Sequence, residues 1–220
     1  MKNYTQENQI KRRQMVNQQV RTWDVLEPSI LETFRNIPRE TYVPKIFTDC
    51  AYADVEIPLK HNQCMLRPSI LGKILQAVEP KKNEKTLEIG TGSGYLTHCL
   101  TNQVSHVISI DIYQDFIVQA KKNLLMNKVK DFDLFCMDAN QELPDDTFDI
   151  IIVNCSMKSD YSHLVNKLNF GGRLFIFLGT SPNVKATLII RNKNSIDSKI
   201  LFETDIPPII TSTDRQKFNF

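Results

Sequence analysis

The sequence predicts a doubly wound α/β fold built on a mostly parallel sheet. From residue 86 onward, short apolar runs alternate with amphipathic segments, the order typical of β-α-β units. The run at residues 148–154 is apolar on both faces, as a central strand is when helices cover both sides of a parallel sheet. The alternation begins with residues 86–97. Here a short apolar run that contains an acidic residue near its end is followed by three glycines at alternate positions. These observations place a ligand-binding loop at the start of the core.

Composition is that of an ordinary globular protein. The 220 residues suffice to bury a sizeable core in a single domain, and 41% hydrophobic and 24% charged residues are close to globular averages. The formal net charge of +2 predicts no nucleic-acid or membrane partner, and Lys11, Arg12 and Arg13 are expected on a solvated helix face. No apolar run reaches the roughly 18 residues that cross a bilayer, and no signal segment is expected. We therefore expect a cytoplasmic monomer.

The N-terminal residues predict helices that lie on the core. Ile10, Val16 and Val20 follow a loose helical spacing. Pro28 is a helix-start signal, and residues 30–37 carry the apolar face of the helix that follows. We expect both helices to pack by these apolar faces.

An irregular segment separates these helices from the core. Residues 38–66 show no sustained period and are long for a loop, which is typical of functional or lid-like segments. We assign residues 1–68 to an N-terminal part and residues 69–220 to the ligand-binding core, within one globular domain.

The remaining elements follow from hydrophobic periodicity and from helix and turn signals. Residues 186–190 and 200–202 flank a turn-rich stretch and predict an antiparallel pair at the sheet edge. The other strands are predicted at residues 86–89, 104–110, 132–136, 148–154 and 174–178, and the helices at residues 68–79, 95–101, 115–127 and 160–168.

The glycine loop lies where open parallel sheets bind their ligands, beyond the carboxyl end of the first strand. Gly90, Gly92 and Gly94 lack Cβ atoms, so the chain can turn sharply and a ligand can approach the backbone. A dinucleotide fingerprint needs its third glycine where Tyr95 stands, and no Lys-Ser or Lys-Thr pair follows as a phosphate loop requires. Ser93 lacks the flanking glycines of a nucleophile elbow.

Three acidic residues lie at the ends of the first three core strands. Glu88 precedes the first glycine, where a carboxylate repels pyrophosphate but suits a cation such as the ammonium and sulfonium end of S-adenosylmethionine. Asp111 ends the second strand and can accept hydrogen bonds from ribose hydroxyls. Asp138 follows the third strand, in place for an adenine amino group. Together they predict S-adenosylmethionine as the cofactor.

The stretch LEIGTGSGYLT, with Asp111, Asp138 and GGRL at residues 171–174, resembles class I methyltransferases. From about residue 30 to the C-terminus the chain is similar to the protein-L-isoaspartate O-methyltransferases, most specifically in IPRETYVP, AYADVEIPL and NQCMLRPSI. The resemblance implies a seven-stranded, Rossmann-like methyltransferase sheet with an antiparallel strand near the C-terminus and N-terminal helices. It also implies protein repair, in which the isoaspartyl carboxylate of a damaged protein or peptide accepts the methyl group.

The resemblance also implies cofactor contacts. The family pattern GxxTIS corresponds to Cys64, Met65 and Leu66, so Leu66 replaces the family serine at the transfer site and no catalytic residue is assigned. The tail PPIITSTDRQ resembles the family's PLTxxxxQ and adds Thr211 and Gln216. The predicted cofactor-binding residues are Cys64, Met65, Leu66, Glu88, Gly90, Thr91, Gly92, Gly94, Asp111, Ile112, Asp138, Ala139, Thr211 and Gln216.

Leu66 leaves the methyl acceptor open. A carboxylate is already ionised at neutral pH, so its methylation needs no general base. Positioning two reactants in line is worth up to about 7 to 11 kcal/mol, so transfer can proceed without the serine hydroxyl. Three hypotheses remain: an isoaspartyl methyltransferase, a methyltransferase for a different acceptor on a more apolar floor, and a cofactor-binding regulatory or scaffold protein without catalysis.

The histidines and cysteines predict no metal site. The four histidines have no metal-ligand spacing, and His61, beside the altered motif, is the one expected near the substrate. The five cysteines show no CxxC pair and are expected to be free, mostly buried thiols in a reducing compartment.

Overall fold

The N-terminal part consists of helices and short turns that lead into a small hairpin. The computed structural model describes residues 2–158 and 160–212. In chain order the elements are α1 (Lys2–Met15), a π-helical turn (Val16–Val20), a 3₁₀ turn (Arg21–Trp23), α2 (Pro28–Asn36), 3₁₀ turns at Arg39–Thr41 and Lys45–Cys50, and the antiparallel strands β1 (Ile57–Pro58) and β2 (Cys64–Met65).

Helix boundaries follow the proline signals in the sequence. Both α2 and α3 (Pro68–Val78) have proline in their first turn, where a missing N–H costs no intrahelical hydrogen bond. Helix α3 ends at Glu79, which has a left-handed φ of +45°, and Pro80 prevents its continuation. The other helices are α4 (Tyr95–Thr101), α5 (Gln114–Met126) and α6 (Ser162–Asn166).

Seven strands form one mixed sheet. They are β3 (Lys85–Ile89), β4 (His106–Asp111), β5 (Phe132–Cys136), β6 (Phe148–Met157), β7 (Leu168–Thr180), β8 (Asn183–Arg191) and β9 (Ile196–Thr204). Their order is β5-β4-β3-β6-β7-β8-β9, and β8 alone pairs antiparallel with both neighbours. The predicted doubly wound sheet and the antiparallel pair at its edge are confirmed.

Two apolar layers cover the sheet. Alternate residues of a strand point to opposite faces, so Ile150 and Ile152 pack with the N-terminal helices, α3, α4 and α5. Ile151 and Val153 instead pack with α6 and the loops of the other face. The N-terminal elements and one face of the sheet therefore share a single hydrophobic cluster.

Two sequence predictions for the first helix are wrong. Ile10 is 53% exposed, and Asn8, Arg12 and Met15 supply the buried face of α1 instead. Arg12 is not on a solvated face, because its guanidinium forms an ion pair with Glu40 at 3.0 Å and also donates hydrogen bonds to backbone carbonyls of α2. The run of three basic residues gives no sign of this ion pair, because Glu40 lies 28 positions further along the sequence.

The cysteines are free, as predicted, but most of them are not buried. Cys99 is buried, Cys64 and Cys155 are half-buried, and Cys50 and Cys136 are exposed. The prediction of mostly buried thiols is therefore wrong. The helix predicted at residues 160–168 is shorter in the structure, and β7 is longer than predicted, because its first residues continue the pairing with β6.

Candidate active site

A cleft opens beyond the carboxyl ends of β3, β4 and β6, where the winding of the sheet reverses. Including its open mouth, the cleft measures about 860 Å³. Its walls come from the irregular segment, the glycine loop, the ends of these strands and residues 208–210. Parts of the chain that are distant in sequence therefore meet here.

The glycine loop adopts backbone angles that side chains rarely allow. Gly90, Gly92 and Gly94 have φ values of +94°, +52° and +82°. A Cβ atom on Gly90 would lie 3.3 Å from the Cβ of Asn154, and one on Gly94 would lie 3.1 Å from the Cβ of Ala120. Gly90 and Gly92 line the cleft, whereas Gly94 lets the start of α4 pack against α5.

Glu88 is a fully buried carboxylate in the wall of the cleft. Its Oε2 accepts a hydrogen bond from Thr97 Oγ1 at 2.6 Å, and its Oε1 accepts one from the amide of Asn154 at 3.0 Å. Burial raises the pKa of Glu88 to about 7, although these hydrogen bonds oppose the rise. The acid therefore changes charge close to neutral pH.

Asp111 joins the glycine loop to the end of β4. Its carboxylate accepts backbone hydrogen bonds from Gly92 at 2.9 Å and from Tyr113 at 3.0 Å. Burial raises the pKa of Asp111, and the two backbone bonds oppose that rise. Asp111 and Ile112 both line the cleft.

Asp138 holds the segment that follows β9. One carboxylate oxygen accepts a hydrogen bond from the N–H of Ser212 at 2.8 Å, and the other accepts one from the N–H of Asn140 at 3.0 Å. Burial favours the protonated acid, but these hydrogen bonds outweigh it and lower the pKa of Asp138. Met137 and Ala139 line the cleft while Asp138 does not. Its contact with an adenine amino group stays a prediction.

Residues 64–66 form another wall of the cleft. Met65 and Leu66 are buried there, and burial raises the pKa of the Cys64 thiol to about 12, which keeps it neutral. The carbonyl oxygen of Leu66 accepts a hydrogen bond from Nη2 of Arg39 at 2.9 Å. Arg39 is fully buried, with its guanidinium carbon 4.8 Å from the ring centre of Tyr95.

Several lining residues were not predicted from the sequence. Asn154 donates hydrogen bonds to Glu88 and to the carbonyl of Gly90, and the signal for it was a polar residue that ends an apolar strand. Residues 208–210 line the cleft because the backbone around Ser156 pairs with Pro207 and Ile209, and no local pattern indicates this pairing.

Most of the predicted cofactor residues come together. Gly94, Asp138 and Thr211 are not among the lining residues, and Gln216 lies outside the described part of the chain. The predicted residues that line the cleft are Cys64, Met65, Leu66, Glu88, Gly90, Thr91, Gly92, Asp111, Ile112 and Ala139.

His61 lies in the turn between β1 and β2, at the mouth of the cleft. Its ring stacks on that of Tyr113, which lines the cleft, with ring centres 3.9 Å apart. Its Nε2 is 2.9 Å from one carboxylate oxygen of Asp115, and Lys60 is 3.3 Å from the other. The predicted contact of His61 with substrate stays a prediction. Within residues 2–158 and 160–212, no group of three or more His, Cys, Asp or Glu side chains could hold a metal ion.

The residues of the cleft fit S-adenosylmethionine. The glycine loop allows close approach of the ligand, and the carboxylates of Glu88 and Asp111 suit a cationic group and hydroxyl groups. Within the ranges that the structure describes, the Oδ1 atom of Asn154 is buried without a hydrogen-bond partner, so the cleft also offers an acceptor for a ligand N–H. The ligand that this set favours carries a cation and several hydrogen-bonding groups.

The sheet order, the glycine loop and this cleft define a class I, S-adenosylmethionine-dependent methyltransferase. The family model of protein-L-isoaspartate(D-aspartate) O-methyltransferase matches residues 10–214. The chain belongs to this family.

Individual relatives agree with that assignment. The chain is 30% identical over 201 residues to a protein-L-isoaspartate O-methyltransferase of Aliivibrio salmonicida, covering 91% of this chain and 96% of the relative. A protein of the same name from Methanospirillum hungatei is 28% identical, with coverage of 90% and 93%. The fold matches, with a TM-score of 0.77 and 19% identity, a crystal structure described as that enzyme from Plasmodium falciparum with S-adenosyl-L-homocysteine, covering 90% and 98% of the chains.

No helix in the described ranges is both long enough and apolar enough to span a membrane.

Proposed function

We propose that this chain transfers a methyl group from S-adenosylmethionine to the carboxylate of isoaspartyl residues in proteins or peptides. The observation that carries the proposal is the family match over residues 10–214, together with a cleft that unites the glycine loop, Glu88 and Asp111. We further propose that it acts in the cytoplasm as a monomer, on a protein or peptide partner.

The chain's contribution to the reaction is positioning and exclusion of water. When bound, the cofactor supplies a methyl group on a positively charged sulfur. The acceptor carboxylate is ionised near neutral pH, so the site needs no general base. The glycine loop and Asp111 orient one reactant, while buried Met65 and Leu66 keep water from the point of transfer. Alignment of this kind is worth up to about 7 to 11 kcal/mol.

Leu66 favours a second candidate function, which is transfer to a different acceptor. Leu66, which we align with the family serine, is a buried apolar side chain, and its backbone carbonyl is already bonded to Arg39. An acceptor with an apolar group beside its nucleophile would suit this wall. A cofactor-binding protein without catalysis is the remaining alternative.

A labelling experiment separates these candidates. The purified protein is incubated with methyl-labelled S-adenosylmethionine and an isoaspartyl peptide, and the matching aspartyl peptide is the control. We expect base-labile label on the isoaspartyl peptide alone, because the product is a methyl ester. The variant Leu66→Ser, which restores a hydroxyl, is expected to match or exceed the natural protein.

The same experiment has clear contrary outcomes. Tight cofactor binding without isoaspartyl-dependent label, in both the natural protein and Leu66→Ser, contradicts the proposed acceptor. Label on the isoaspartyl peptide only with Leu66→Ser excludes the isoaspartyl acceptor for the natural protein and leaves a different acceptor or no catalysis as its function.

A further inference from the structure

Arg39 has hydrogen-bonding capacity that the protein does not use. Its side chain is 0% exposed and lines the cleft beside Leu66. Nη2 donates to the carbonyl of Leu66, whereas Nε and Nη1 have no hydrogen-bond partner in the described part of the chain. One hydrogen on Nε and two on Nη1 are therefore unbonded in a buried cation. Such donors are costly unless a ligand or a bound water accepts them.

Among residues 2–158 and 160–212, no carboxylate forms an ion pair with this guanidinium. Asp54 is the acidic residue whose charge acts on Arg39, but its Oδ1 accepts the N–H of Ser69 at 2.8 Å. The neighbouring Tyr95 places its ring against the guanidinium and interacts with its charge, but among the described residues its buried hydroxyl has no partner at normal hydrogen-bond geometry. The guanidinium and this hydroxyl together form a donor-rich region in the wall of the cleft.

The cleft is therefore polarised. Glu88 provides a buried carboxylic acid in one part of the wall, and Arg39 provides a buried guanidinium cation in a different part. A ligand that carries both an ammonium and a carboxylate, as an amino acid group does, complements this arrangement. Arginine is the side chain best suited to bind a carboxylate when buried.

We propose that Arg39 is a carboxylate-binding residue of this cleft, with the free N–H groups of Nε and Nη1 as donors. This inference rests on the proposed function, which supplies two sources of a carboxylate. One is the α-carboxylate of the cofactor, and the other is the carboxylate of the isoaspartyl acceptor. Both present the same chemistry to Arg39.

Calorimetry distinguishes the two sources. S-adenosylhomocysteine and its decarboxylated analogue are titrated into the natural protein and into Arg39→Met. An isoaspartyl peptide and the same peptide with its α-carboxyl amidated are then titrated in the presence of S-adenosylhomocysteine. Arg12→Met is the matched control, because Arg12 is also a buried arginine but lies outside the cleft.

A carboxylate-specific loss supports the proposal. If the cofactor is the source, Arg39→Met weakens S-adenosylhomocysteine about 10- to 100-fold and leaves the decarboxylated analogue within about twofold. If the acceptor is the source, the same loss is confined to the peptide with the free carboxylate. Arg12→Met is expected to leave the affinity ratio between the carboxylate ligand and its carboxylate-free analogue unchanged in both ligand pairs.

Other outcomes overturn it. If Arg39→Met weakens binding of both members of a ligand pair equally, Arg39 acts through its packing against Leu66 and not by binding a carboxylate. If Arg39→Met weakens binding of no ligand, Arg39 has no role in ligand binding. If Arg39→Met does not fold, the same titrations are made with Arg39→Lys and with the natural protein. The inference is contradicted if the natural protein binds the carboxylate form no more tightly than the form without it, in both ligand pairs. Natural protein that binds neither cofactor compound contradicts the proposed function itself, whereas binding without discrimination overturns only the role of Arg39.

Discussion

Glu88 is the residue in the cleft whose charge depends most directly on pH near neutrality. Its pKa rises from 4.5 to about 7 because burial removes the solvent that stabilises the carboxylate. In the unfolded chain the acid is ionised above its ordinary pKa, whereas the folded protein keeps the proton up to about neutral pH. The folded state therefore loses stability as the pH rises from 4.5 to about 7, and the loss is complete above that range.

Glu88→Gln should remove this pH dependence. We expect the variant to gain free energy of unfolding relative to the natural protein as the pH rises from about 5 to about 8, by up to about 3 kcal/mol. The physical reason is that a neutral amide carries no cost of ionisation in a buried site. Urea unfolding without cofactor, at several pH values, measures the difference.

Glu84→Gln is the matched control for this measurement. Glu84 is also buried, but it pairs with Arg173 at 2.6 Å, so its neutralisation leaves a largely buried guanidinium with backbone carbonyls as partners and no carboxylate. This variant is expected to be less stable than the natural protein at neutral pH. If the free energies of unfolding of Glu88→Gln and the natural protein differ by the same amount at every pH, the raised pKa of Glu88 is contradicted.

Residues with a local signal could be predicted from the sequence, and residues fixed by distant partners could not. Glu88 and Asp111 follow from their places at strand ends, and both line the cleft. Arg39 and Asn154 were missed because their partners lie 27 and 64 to 66 positions away. Arg12 was placed wrongly for the same reason, since its partner Glu40 is on a different element.

At the scale of elements, the turn between β1 and β2 is held against the start of α5. Lys60 and His61 both contact the carboxylate of Asp115, and the ring of His61 stacks on Tyr113 in the wall of the cleft. Burial favours the protonated acid, but the hydrogen bonds from His61 and Lys60 together outweigh it and lower the pKa of Asp115. These contacts connect the turn to the mouth of the cleft.

Asp115→Asn should loosen this turn. We expect S-adenosylhomocysteine to dissociate faster, by no more than about fivefold, because the ion pairs are exposed and such pairs are worth at most about 1 kcal/mol. Stopped-flow displacement of bound S-adenosylhomocysteine measures the rate.

Asp133→Asn provides a control of the same type. His106 and Asp133 form a contact of 2.9 Å, the same length as that between His61 and Asp115, but neither lines the cleft. Loss of this pair is expected to leave the dissociation rate unchanged. Equal effects of the two variants would show that the turn has no specific role.

Elements with proline or glycine signals were predicted most accurately. The helices at residues 68–79 and 95–101, which follow such signals, agree with the structure to within a residue. The strand at residues 132–136, whose signal is its apolar run alone, agrees equally well. The helix that begins near Asp160 and the strand β7 differ more, because pairing with β6 decides where they begin and end. The contact between β6 and residues 207–209 has no counterpart in local periodicity.

At the scale of the molecule, the N-terminal helices and the sheet share one hydrophobic cluster. Met15, Val20 and Val25 belong to the same cluster as Phe175 in β7. The N-terminal part also approaches α3 closely, since a Cβ atom on Gly72 in α3 would lie 2.9 Å from Val25. Neither layer can bury its apolar face without the other, so we expect the chain to unfold as one unit.

The single tryptophan makes this expectation testable. Trp23 lies in the N-terminal part, with the Lys73 ammonium of α3 4.8 Å from its ring, whereas far-ultraviolet circular dichroism reports the whole fold. The two signals should give the same urea midpoint. Gly72→Ala, which pushes the layers apart, should lower both midpoints together. Loss of the Trp23 signal at lower urea than the circular dichroism would show two independent units.

Because residues 208–210 form part of its wall, the cleft can be completed only late in the synthesis of the chain. The ribosome makes the glycine loop, Glu88 and Asp111 long before these residues, yet all of them line the same cleft. Backbone pairing of Ser156 with Pro207 and Ile209 attaches the late segment to a strand made much earlier. A nascent chain therefore has no complete cleft, and its ligand can stabilise only a chain whose synthesis has passed residue 210.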